Sequence, residues 1–510
     1  MTIRAQKLWQ RGLDHFRLGN MPAAQATFES LLVEDPESAP ARFRLSLILA
    51  SQGRFNAAQG LATAALALQP DLVEMLPHLA NYQLMSGRPE LARATATRAL
   101  SHSRENVRSL DALAAVLARL GEQALSLELF DQTLAIEPEN AALYFNRGLA
   151  HKQFGSAALA QQDFESCLRL NAGHAKSHWT LADLQSQSAQ HNHVARLREQ
   201  LPLTGPASVQ EELIALALFK ELDDLGDPEA AWPFLARGIA SRRQRWRDPG
   251  FDSQARMDAL VRLCDESFMR PATQVPPAMG PVFIFGMPRS GVATMARLLS
   301  RHSLVHHLGL QQPFFRLLSQ EIGRDSVRPF EPADFERCRS VDFEALGRRY
   351  LEEVTPSDGR QLLVCESHPL NFMLAPLIAN ALPHARMLHM VRDPTDNCVS
   401  ILGHPGNEPS LPSHDPAMLA ASYASSQQLM QRWHPLLPGR IMDVGYESLV
   451  EKPEMILRVV CSFLGIRYAS TLRTNLQLNS RSIGRGARYA ARLDGIVAGL
   501  SGLAGPPPRE

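Results

Sequence analysis

The stretch PVFIFGMPRSGVATMARLLSRH, residues 281–302, places a run of apolar residues directly before a glycine-rich turn and a helical pattern. Gly286 and Gly291 stand five residues apart, as in the nucleotide-binding loop G-x-x-x-x-G-K-[ST]. The lysine of that loop is missing, and Val292 and Ala293 follow Gly291 instead. A strand that ends in such a turn directs backbone N–H groups and a helix N-terminus at a bound anion. The stretch therefore predicts a phosphate-binding loop that differs from the loop of a kinase.

Further apolar runs alternate with helical patterns after residue 280. Four of them have the length and composition of buried strands, at residues 281–286, 361–366, 385–391 and 440–446. This alternation predicts a parallel sheet covered by helices, in which ligands bind at the C-terminal ends of the strands. The loop at the end of the first strand supplies these candidate anion-binding residues: Gly286, Arg289, Ser290, Gly291, Val292, Ala293 and Thr294.

The composition of the whole chain limits the classes of partner. A chain of 510 residues is expected to form two or three domains. Lys plus Arg equals Asp plus Glu at 52 each, so no long-range attraction for nucleic acid or anionic lipid is expected. The first residues lack the apolar core of a signal peptide, and no run reaches the ~18 apolar residues of a membrane span. We therefore predict a cytoplasmic protein with no membrane span.

Cysteine and histidine spacing gives no sign of a metal site. Six scattered cysteines form no C-x-x-C pair, which argues against a disulfide framework and against a thiolate zinc site. None of the 17 histidines lies in an H-E-x-x-H or comparable pattern. The sequence therefore predicts reduced thiols and no bound metal.

The N-terminal half repeats with a period of 34 residues. Glycine recurs in strict register at Gly19, Gly53, Gly87, Gly121 and Gly155. Small residues stand seven positions before each glycine and five positions after it, at Gly12, Ser46, Ala80, Ala114, Gly148, Ala24, Ala58, Ala92, Ser126 and Ala160. Small residues let two helices approach closely, and a periodic glycine makes the turn between them. Each unit is therefore predicted to be a pair of antiparallel helices.

These units resemble the tetratricopeptide repeat (TPR) family. The resemblance implies an all-α solenoid of five repeats over residues 1–175, whose concave face binds a protein or peptide. Residues 176–255 are expected to form a helical connector with a degenerate helical pair. The basic run RRQRWR at 242–247 is interpreted as the solvated face of a helix end. Residues 496–510 are expected to be a disordered tail.

A second motif lies about a hundred residues after the glycine loop, in MVRDPTDNCVS at 390–400. Arg392 ends a predicted strand, Asp393 and Pro394 begin a helix, and Ser400 follows in that helix. A guanidinium group and a hydroxyl group in this arrangement can grip a second phosphate. Further along the chain stand HPLNF at 368–372 and VGYESLVEKPEMILRVVCSFLGI at 444–466.

Together these motifs resemble the sulfotransferase family, in the form of the TPR-containing bacterial sulfotransferases that are related to protein-tyrosine sulfotransferases. The resemblance implies a P-loop-like parallel α/β domain over residues 280–495 that binds 3′-phosphoadenosine 5′-phosphosulfate (PAPS). It implies that the glycine loop holds the 5′-phosphosulfate and that Arg392 and Ser400 hold the 3′-phosphate. Tyr446 would lie near the nucleotide, and Arg289 would reach the bridging region of the donor.

The sequence departs from the family pattern where the resemblance implies catalysis. Leu310 occupies the position of the family's glutamate base, and Ser367 occupies that of a lysine. Gly486 replaces an aromatic residue in RSIGRGARY at 481–489. Three histidines stand near these positions, and His307 is the candidate base, with an unperturbed pKa near 6.5.

Two functions remain open from the sequence. The first is an active sulfotransferase that transfers sulfonate to a hydroxyl group of a peptide tyrosine or a small molecule. The second is a catalytically degenerate domain that serves as a TPR interaction scaffold. A P-loop kinase is excluded because the loop lacks its lysine.

Overall fold

A computed structural model provides the structure of the chain. It describes residues 2–101, 106–246, 253–265, 267–269, 280–309, 311–324, 328–355, 362–406, 411–473, 478, 480–493, 496 and 500. Leu310 and nearly all of the predicted disordered tail at 496–510 lie outside these residues. By internal contacts the chain divides into two compact units, Met1–Leu184 with Gly323–Arg328, and Gln185–Ile322 with Pro329–Glu510.

The described part of the first unit is helical, and its helices follow the sequence repeat. Each repeat contributes two helices: α1 (Ile3–Arg17) and α2 (Met21–Glu34), α3 (Ala39–Ser51) and α4 (Phe55–Leu68), α5 (Leu76–Met85) and α6 (Pro89–Leu100), α7 (Val107–Arg119) and α8 (Gln123–Ile136), α9 (Ala141–Gln153) and α10 (Ala157–Leu170). Helix α11 (Ala175–Leu184) follows them. The periodic glycines join the two helices of each pair with φ between 72° and 82°, a backbone conformation that favours glycine.

Side-chain size explains the regular phase of the small residues within each pair. A Cβ atom added to Gly12 would lie 2.7 Å from the ring of Phe28, and one added to Gly148 would lie 2.7 Å from the ring of Phe164. Both rings are fully buried against the partner helix. The small positions therefore set how closely the two helices of a pair approach each other.

This packing predicts opposite effects for two glycine-to-alanine substitutions inside helices. Gly60→Ala in α4 should raise the free energy of unfolding by about 0.5–1 kcal/mol, because alanine favours the helix and no atom lies within 4 Å of the new methyl group. Gly148→Ala in α9 should lower it by about 1–3 kcal/mol through overpacking against Phe164. Urea unfolding of both variants measures the difference. An equal gain in stability for both would contradict the close packing at Gly148.

The second unit begins with helices and continues with the sheet domain. Its first helices are α12 (Val194–Gln200), α13 (Val209–Asp224), α14 (Pro228–Arg245) and α15 (Ser253–Leu263). The predicted connector helices beyond Leu184 thus belong to the same compact unit as the sheet. The exact domain boundaries stay predictions.

The interpretation of the basic run at the end of α14 as a solvated face is wrong for Arg242. Its side chain is buried and pairs with Glu212 at 2.8 Å. It also donates hydrogen bonds to the backbone oxygens of Ser413, at 2.8 Å, and His404, at 2.7 Å. Arg243, in contrast, keeps 65% of its side chain exposed. The arginine that faces inward connects the helical pair α13–α14 to the segment that follows residue 403.

The described residues form a sheet of five parallel strands in the order β2-β3-β1-β4-β5. The strands are β1 (Val282–Gly286), β2 (Val305–His307), β3 (Leu363–Ser367), β4 (Arg386–Val391) and β5 (Ile441–Gly445). The four runs that the sequence predicted as strands correspond to β1, β3, β4 and β5. The fold class predicted from the sequence, a helical repeat region followed by a parallel α/β domain, is confirmed.

Helices cover both faces of this sheet, as burial of apolar strands on both sides requires. They are α16 (Val292–Leu299), α17 (Pro313–Glu321), α18 (Pro332–Arg337), α19 (Phe343–Val354), α20 (Ala375–Ala381), α21 (Pro394–Leu402), α22 (Pro416–Leu436), α23 (Tyr446–Glu451) and α24 (Pro453–Leu464). Helices α16 and α24 pack on one face, against strand residues such as Ile284 and Leu388. On the other face the ring of Phe283 meets Phe314 and Tyr350.

All six cysteines are buried and free. Within the described part of the chain, no helix combines the length and the apolar character needed to cross a membrane.

Candidate functional site

The glycine loop lies at the C-terminal end of the central strand β1. Three of its residues adopt positive φ: Gly286 at 151°, Arg289 at 67° and Gly291 at 110°. Helix α16 begins directly after Gly291, so the N–H groups of its first turn, including those of Val292 and Ala293, lie at the end of the loop. The loop therefore has the strand–turn–helix geometry of an anion-binding site.

Both glycines are required by close neighbours. A Cβ atom on Gly286 would lie 2.4 Å from the backbone oxygen of Met390 and 2.8 Å from Ser290 Oγ. A Cβ atom on Gly291 would lie 2.7 Å from the ring of Tyr446. The two glycines thus let the loop pass between the end of β4 and the tyrosine that begins α23.

Gly291→Ala is therefore expected to destabilise the protein by more than the cost of its φ alone. A left-handed backbone costs about 1–2 kcal/mol for a residue with a Cβ atom, and contact with Tyr446 adds to this cost. Gly439→Ala is the matched control, because Gly439 has φ 71° and no atom within 4 Å of its added methyl group. The difference between the two variants in denaturant unfolding measures the contact with Tyr446 together with the larger φ of Gly291, 110° against 71°. Equal losses would show that Tyr446 does not constrain the loop.

Two buried polar atoms at the loop have no hydrogen-bond partner among the described residues. They are Ser290 Oγ and Arg392 Nε, in side chains that are 1% and 4% exposed. Leaving such groups unsatisfied costs about 1–3 kcal/mol each, and more when the group is charged. The hydroxyl group and the guanidinium group can both donate a hydrogen bond, and the oxygens of a phosphate or sulfonate group can accept them.

Arg392 connects the loop to two other segments. Its Nη1 donates to the backbone oxygen of Arg289 at 2.9 Å, and its Nη2 donates to that of Ser482 at 2.8 Å. The guanidinium carbon lies 4.9 Å from the centre of the Tyr446 ring. Desolvation lowers the pKa of Arg392. The residue thus ties the loop to the segment at Ser482 through its terminal nitrogens, while Nε has no hydrogen-bond partner among the described residues.

The R-D-P motif explains how Arg392 and Ser400 come to lie beside the loop. Asp393 caps α21 by accepting a hydrogen bond from the N–H of Asp396, and Pro394 occupies the first helical position. This cap starts the helix directly after β4, and Ser400 lies buried in its second turn. Arg289 Nε then approaches Ser400 Oγ at 3.4 Å. The structure therefore brings Arg289, Arg392 and Ser400 together from two separate motifs.

His307 and Ser367 are also brought together, at the ends of β2 and β3. The distance from His307 Nε2 to Ser367 Oγ is 2.9 Å. The N–H of Gly309 donates to His307 Nδ1 at 3.3 Å, so Nδ1 accepts and Nε2–H donates to the serine. Desolvation, followed by the neighbouring His306, lowers the pKa of His307 below its usual 6.5. The imidazole is therefore neutral at pH 7 and able to accept a proton.

Comparison with known proteins matches both halves of the chain to families. Residues 281–470 match the model of the Sulfotransferase family. This range of the chain contains the glycine loop, the R-D-P motif and Tyr446. Residues 10–73, 46–109 and 141–174 match Tetratricopeptide repeat models. The chain carries tetratricopeptide repeats and a sulfotransferase-family domain.

Curated relatives are similar to parts of the chain. An uncharacterized protein of Aquifex aeolicus is 25% identical over 260 residues, 48% of this chain and 33% of that protein. A protein-tyrosine sulfotransferase of Drosophila melanogaster is 25% identical over 201 residues, 36% of this chain and 38% of that protein. The chain thus spans only about a third of the length of each relative. A thermophilic TPR protein of Thermus thermophilus superposes with a TM-score of 0.32 at 20% identity, over 35% of this chain and 98% of that structure.

The glycine at position 486 has a local structural cause. The carboxylate of Asp396 accepts hydrogen bonds from the N–H groups of Gly484, at 2.7 Å, and Gly486, at 2.5 Å. A Cβ atom on Gly486 would lie 2.7 Å from the backbone of Thr395. The segment that carries Ser482 therefore lies directly on the start of α21, where an aromatic side chain has no room. Tyr446 Oη contacts Ser482 Oγ at 3.2 Å from the other side.

Glu366, a fully buried carboxyl group beside Ser367, was not predicted from the sequence. Burial raises its pKa to about 8, so it is largely protonated at pH 7. It accepts hydrogen bonds from the N–H of Phe314 at 3.3 Å and from Asn371 Nδ2 at 3.4 Å. Glu366 thus fastens the start of α17 to β3. The sequence signal for this residue is a single acidic side chain within the largely apolar run QLLVCES at 361–367.

Leu310, the residue at the family's glutamate position, lies outside the described residues. The remaining predicted positions of the sulfotransferase domain converge at the C-terminal edge of the sheet. His307 and Ser367 end β2 and β3, the glycine loop follows β1, Arg392 follows β4, and Tyr446 follows β5.

Proposed function

We propose that this protein is a sulfotransferase that uses PAPS as its sulfonate donor and a hydroxyl group as its acceptor. The observation that supports this most strongly is the unsatisfied Ser290 Oγ in the glycine loop. A buried hydroxyl with no partner among the described residues, at the start of a helix, needs an oxygen acceptor.

The residues of the site fit the two charged ends of the donor. Ser290 and the N–H groups of Val292 and Ala293 would hold the 5′-phosphosulfate, and Thr294 in the first turn of α16 would support them. Arg392, through Nε, and Ser400 would hold the 3′-phosphate. Backbone N–H groups would make the contacts at positions 292 and 293, because neither valine nor alanine carries a hydroxyl group. The donor itself supplies a sulfonate group activated by its link to phosphate.

His307 is the proposed base. The acceptor oxygen forms a bond to sulfur while the bond between sulfur and the bridging phosphate oxygen breaks, and 3′-phosphoadenosine 5′-phosphate leaves. Nδ1 of His307 takes the proton of the acceptor hydroxyl, and Ser367 holds the opposite nitrogen in place. Before this transfer, the hydrogen bond from the N–H of Gly309 to Nδ1 has to break. Arg289 offsets the charge that develops on the departing phosphate.

An apolar cavity beside the loop supports an acceptor with an apolar or aromatic body. Met287, the residue after Gly286, lines this cavity. Leu370, Phe372 and Leu429 contribute further apolar walls. A peptide tyrosine and a small phenol both have this character, and the curated relative from Drosophila is named for the former. For the repeats we propose a protein or peptide partner on the concave face.

A nucleotide-binding scaffold without turnover is the second candidate. Ser367 in place of a lysine favours it, because a serine hydroxyl cannot offset the charge of the leaving group as an ammonium group would. In that case the domain would bind the nucleotide and transfer nothing.

Calorimetric titration of the full chain tests the proposal. The 3′,5′-bisphosphate product, 3′-phosphoadenosine 5′-phosphate, should bind more tightly than AMP, because the 3′-phosphate reaches Arg392 and Ser400. Transfer of radiolabelled sulfonate to a hydroxyl acceptor pool then separates the two candidates. Equal affinity for both nucleotides would refute the 3′-phosphate site, and binding without transfer would favour the scaffold.

A further inference from the structure

A cluster of three metal-ligating side chains lies outside the site described above. His389 comes from β4, Asp443 from β5 and His434 from the last turns of α22. The parallel register of the two strands pairs His389 directly with Asp443. The ring of His389 lies 6.0 Å from that of Phe285, on the sheet face opposite the α16–α24 layer. Sheet register and helix docking, and not a local sequence motif, therefore assemble the cluster.

The spacing of the three donor atoms is close to that of a tetrahedral metal site. His389 Nδ1 lies 2.8 Å from Asp443 Oδ1, and His434 Nε2 lies 3.2 Å from the same oxygen. All three ligand atoms lie within 4.8 Å of one another. Ligands about 2.0–2.1 Å from a tetrahedral zinc ion stand roughly 3.4 Å apart, so shifts of about 1 Å or less are enough to admit the ion.

The donor set also has the chemistry of a transition-metal site. Two imidazole groups with one carboxylate suit zinc and related divalent ions better than magnesium or calcium, which prefer all-oxygen sites. One carboxylate charge leaves a divalent ion with a net positive charge, and a fourth position remains for water. Asp443 and His434 keep 34% and 37% of their side chains exposed, so an ion can enter from solvent.

We propose that His389, His434 and Asp443 bind a divalent transition-metal ion, with zinc as the best match. Such an ion would link the C-terminal part of α22 to the neighbouring strands β4 and β5. The same helix carries Tyr423, which donates a hydrogen bond to the backbone oxygen of Arg392 at 2.8 Å. The ion thereby stabilises a helix that supports the candidate nucleotide site, and this role does not depend on any chemistry there.

Cobalt and zinc titration of the chelator-treated full chain tests the site. One Co²⁺ per chain should bind with the visible absorption of tetrahedral coordination, and Zn²⁺ should displace it and raise the Tm. Loss of an outer hydrogen-bond partner of a metal ligand typically lowers metal affinity 10–100-fold. His434→Ala removes a ligand itself, so it should lower the affinity for Zn²⁺ at least about 100-fold. His384→Ala, which removes an exposed histidine outside the cluster, should leave the affinity unchanged.

Asp443→Asn provides a second test that preserves side-chain size, should His434→Ala fail to fold. It should also abolish the Co²⁺ absorption band. A wild-type chain that gives no such band with excess Co²⁺ would overturn the proposal and leave a purely hydrogen-bonded triad. Zn²⁺ affinity that survives both His434→Ala and Asp443→Asn would overturn it equally.

Discussion

Replacement of His307 by asparagine is expected to lower kcat about 10²–10⁴-fold while leaving the affinity for 3′-phosphoadenosine 5′-phosphate unchanged. Asparagine keeps a polar group within reach of Ser367 but cannot take a proton from the acceptor. Because burial lowers the pKa of His307, the base form already dominates at pH 6.5. The rise of kcat with pH should therefore lie below pH 6.5, and not at the unperturbed value expected from the sequence. Steady-state kinetics over pH 5–8 measure both effects.

His306→Asn is the matched control for this experiment. His306 is exposed and adjacent, and its charge contributes to the lowered pKa of His307. The control should keep the plateau value of kcat and move its acid limb slightly toward higher pH. Transfer that persists in His307→Asn would leave the enzyme intact and place the base elsewhere. No transfer by the wild type would support the scaffold function.

Replacement of Arg392 by alanine is expected to remove the preference for the 3′,5′-bisphosphate over AMP. A charge-assisted hydrogen bond contributes ~1.5–3 kcal/mol, so the preference should fall about 10- to 150-fold. AMP binding should weaken as well, because Arg392 Nη1 also holds the backbone oxygen of Arg289. The ratio of the two affinities isolates the contact with the 3′-phosphate, and calorimetry with both nucleotides measures it.

Arg440→Ala separates this effect from general destabilisation. Arg440 is also partly buried and donates to backbone oxygens, those of Ala379, Leu382 and Ala385, but at the N-terminal end of β5. Its loss should lower the free energy of unfolding without changing the nucleotide preference. A preference that survives Arg392→Ala, or disappears in Arg440→Ala, would contradict the assignment of the 3′-phosphate site.

The sequence predicted the repeats and most of the sheet because both depend on patterns that are local or periodic. The glycines at a period of 34 mark turns, and the strand β1 is a continuous apolar run before Gly286. Strand β2 was not predicted, because Val305–His307 is three residues long and two of them are histidines. Its place at the edge of the sheet follows from pairing with β3, which no local pattern encodes.

The candidate site was predictable to the extent that each strand end carries its own motif. The contact between His307 and Ser367 was not, since 60 residues separate them and the register of β2 with β3 brings them together. The same holds for His389 and Asp443, which no sequence motif connects and which the register of β4 with β5 pairs. The inward position of Arg242 and the close packing at Gly486 likewise depend on tertiary neighbours.

The hydrogen bond from Arg392 to the backbone oxygen of Ser482 has a consequence for the order of folding. Contacts within the repeats join residues close in sequence, and such contacts form quickly. The glycine loop, in contrast, is fixed by residues about 100, 160 and 190 positions further along the chain, at Arg392, Tyr446 and Ser482. During synthesis the helical repeats can form while the rest of the chain is still on the ribosome. The glycine loop acquires its final shape only after residue 482 has emerged.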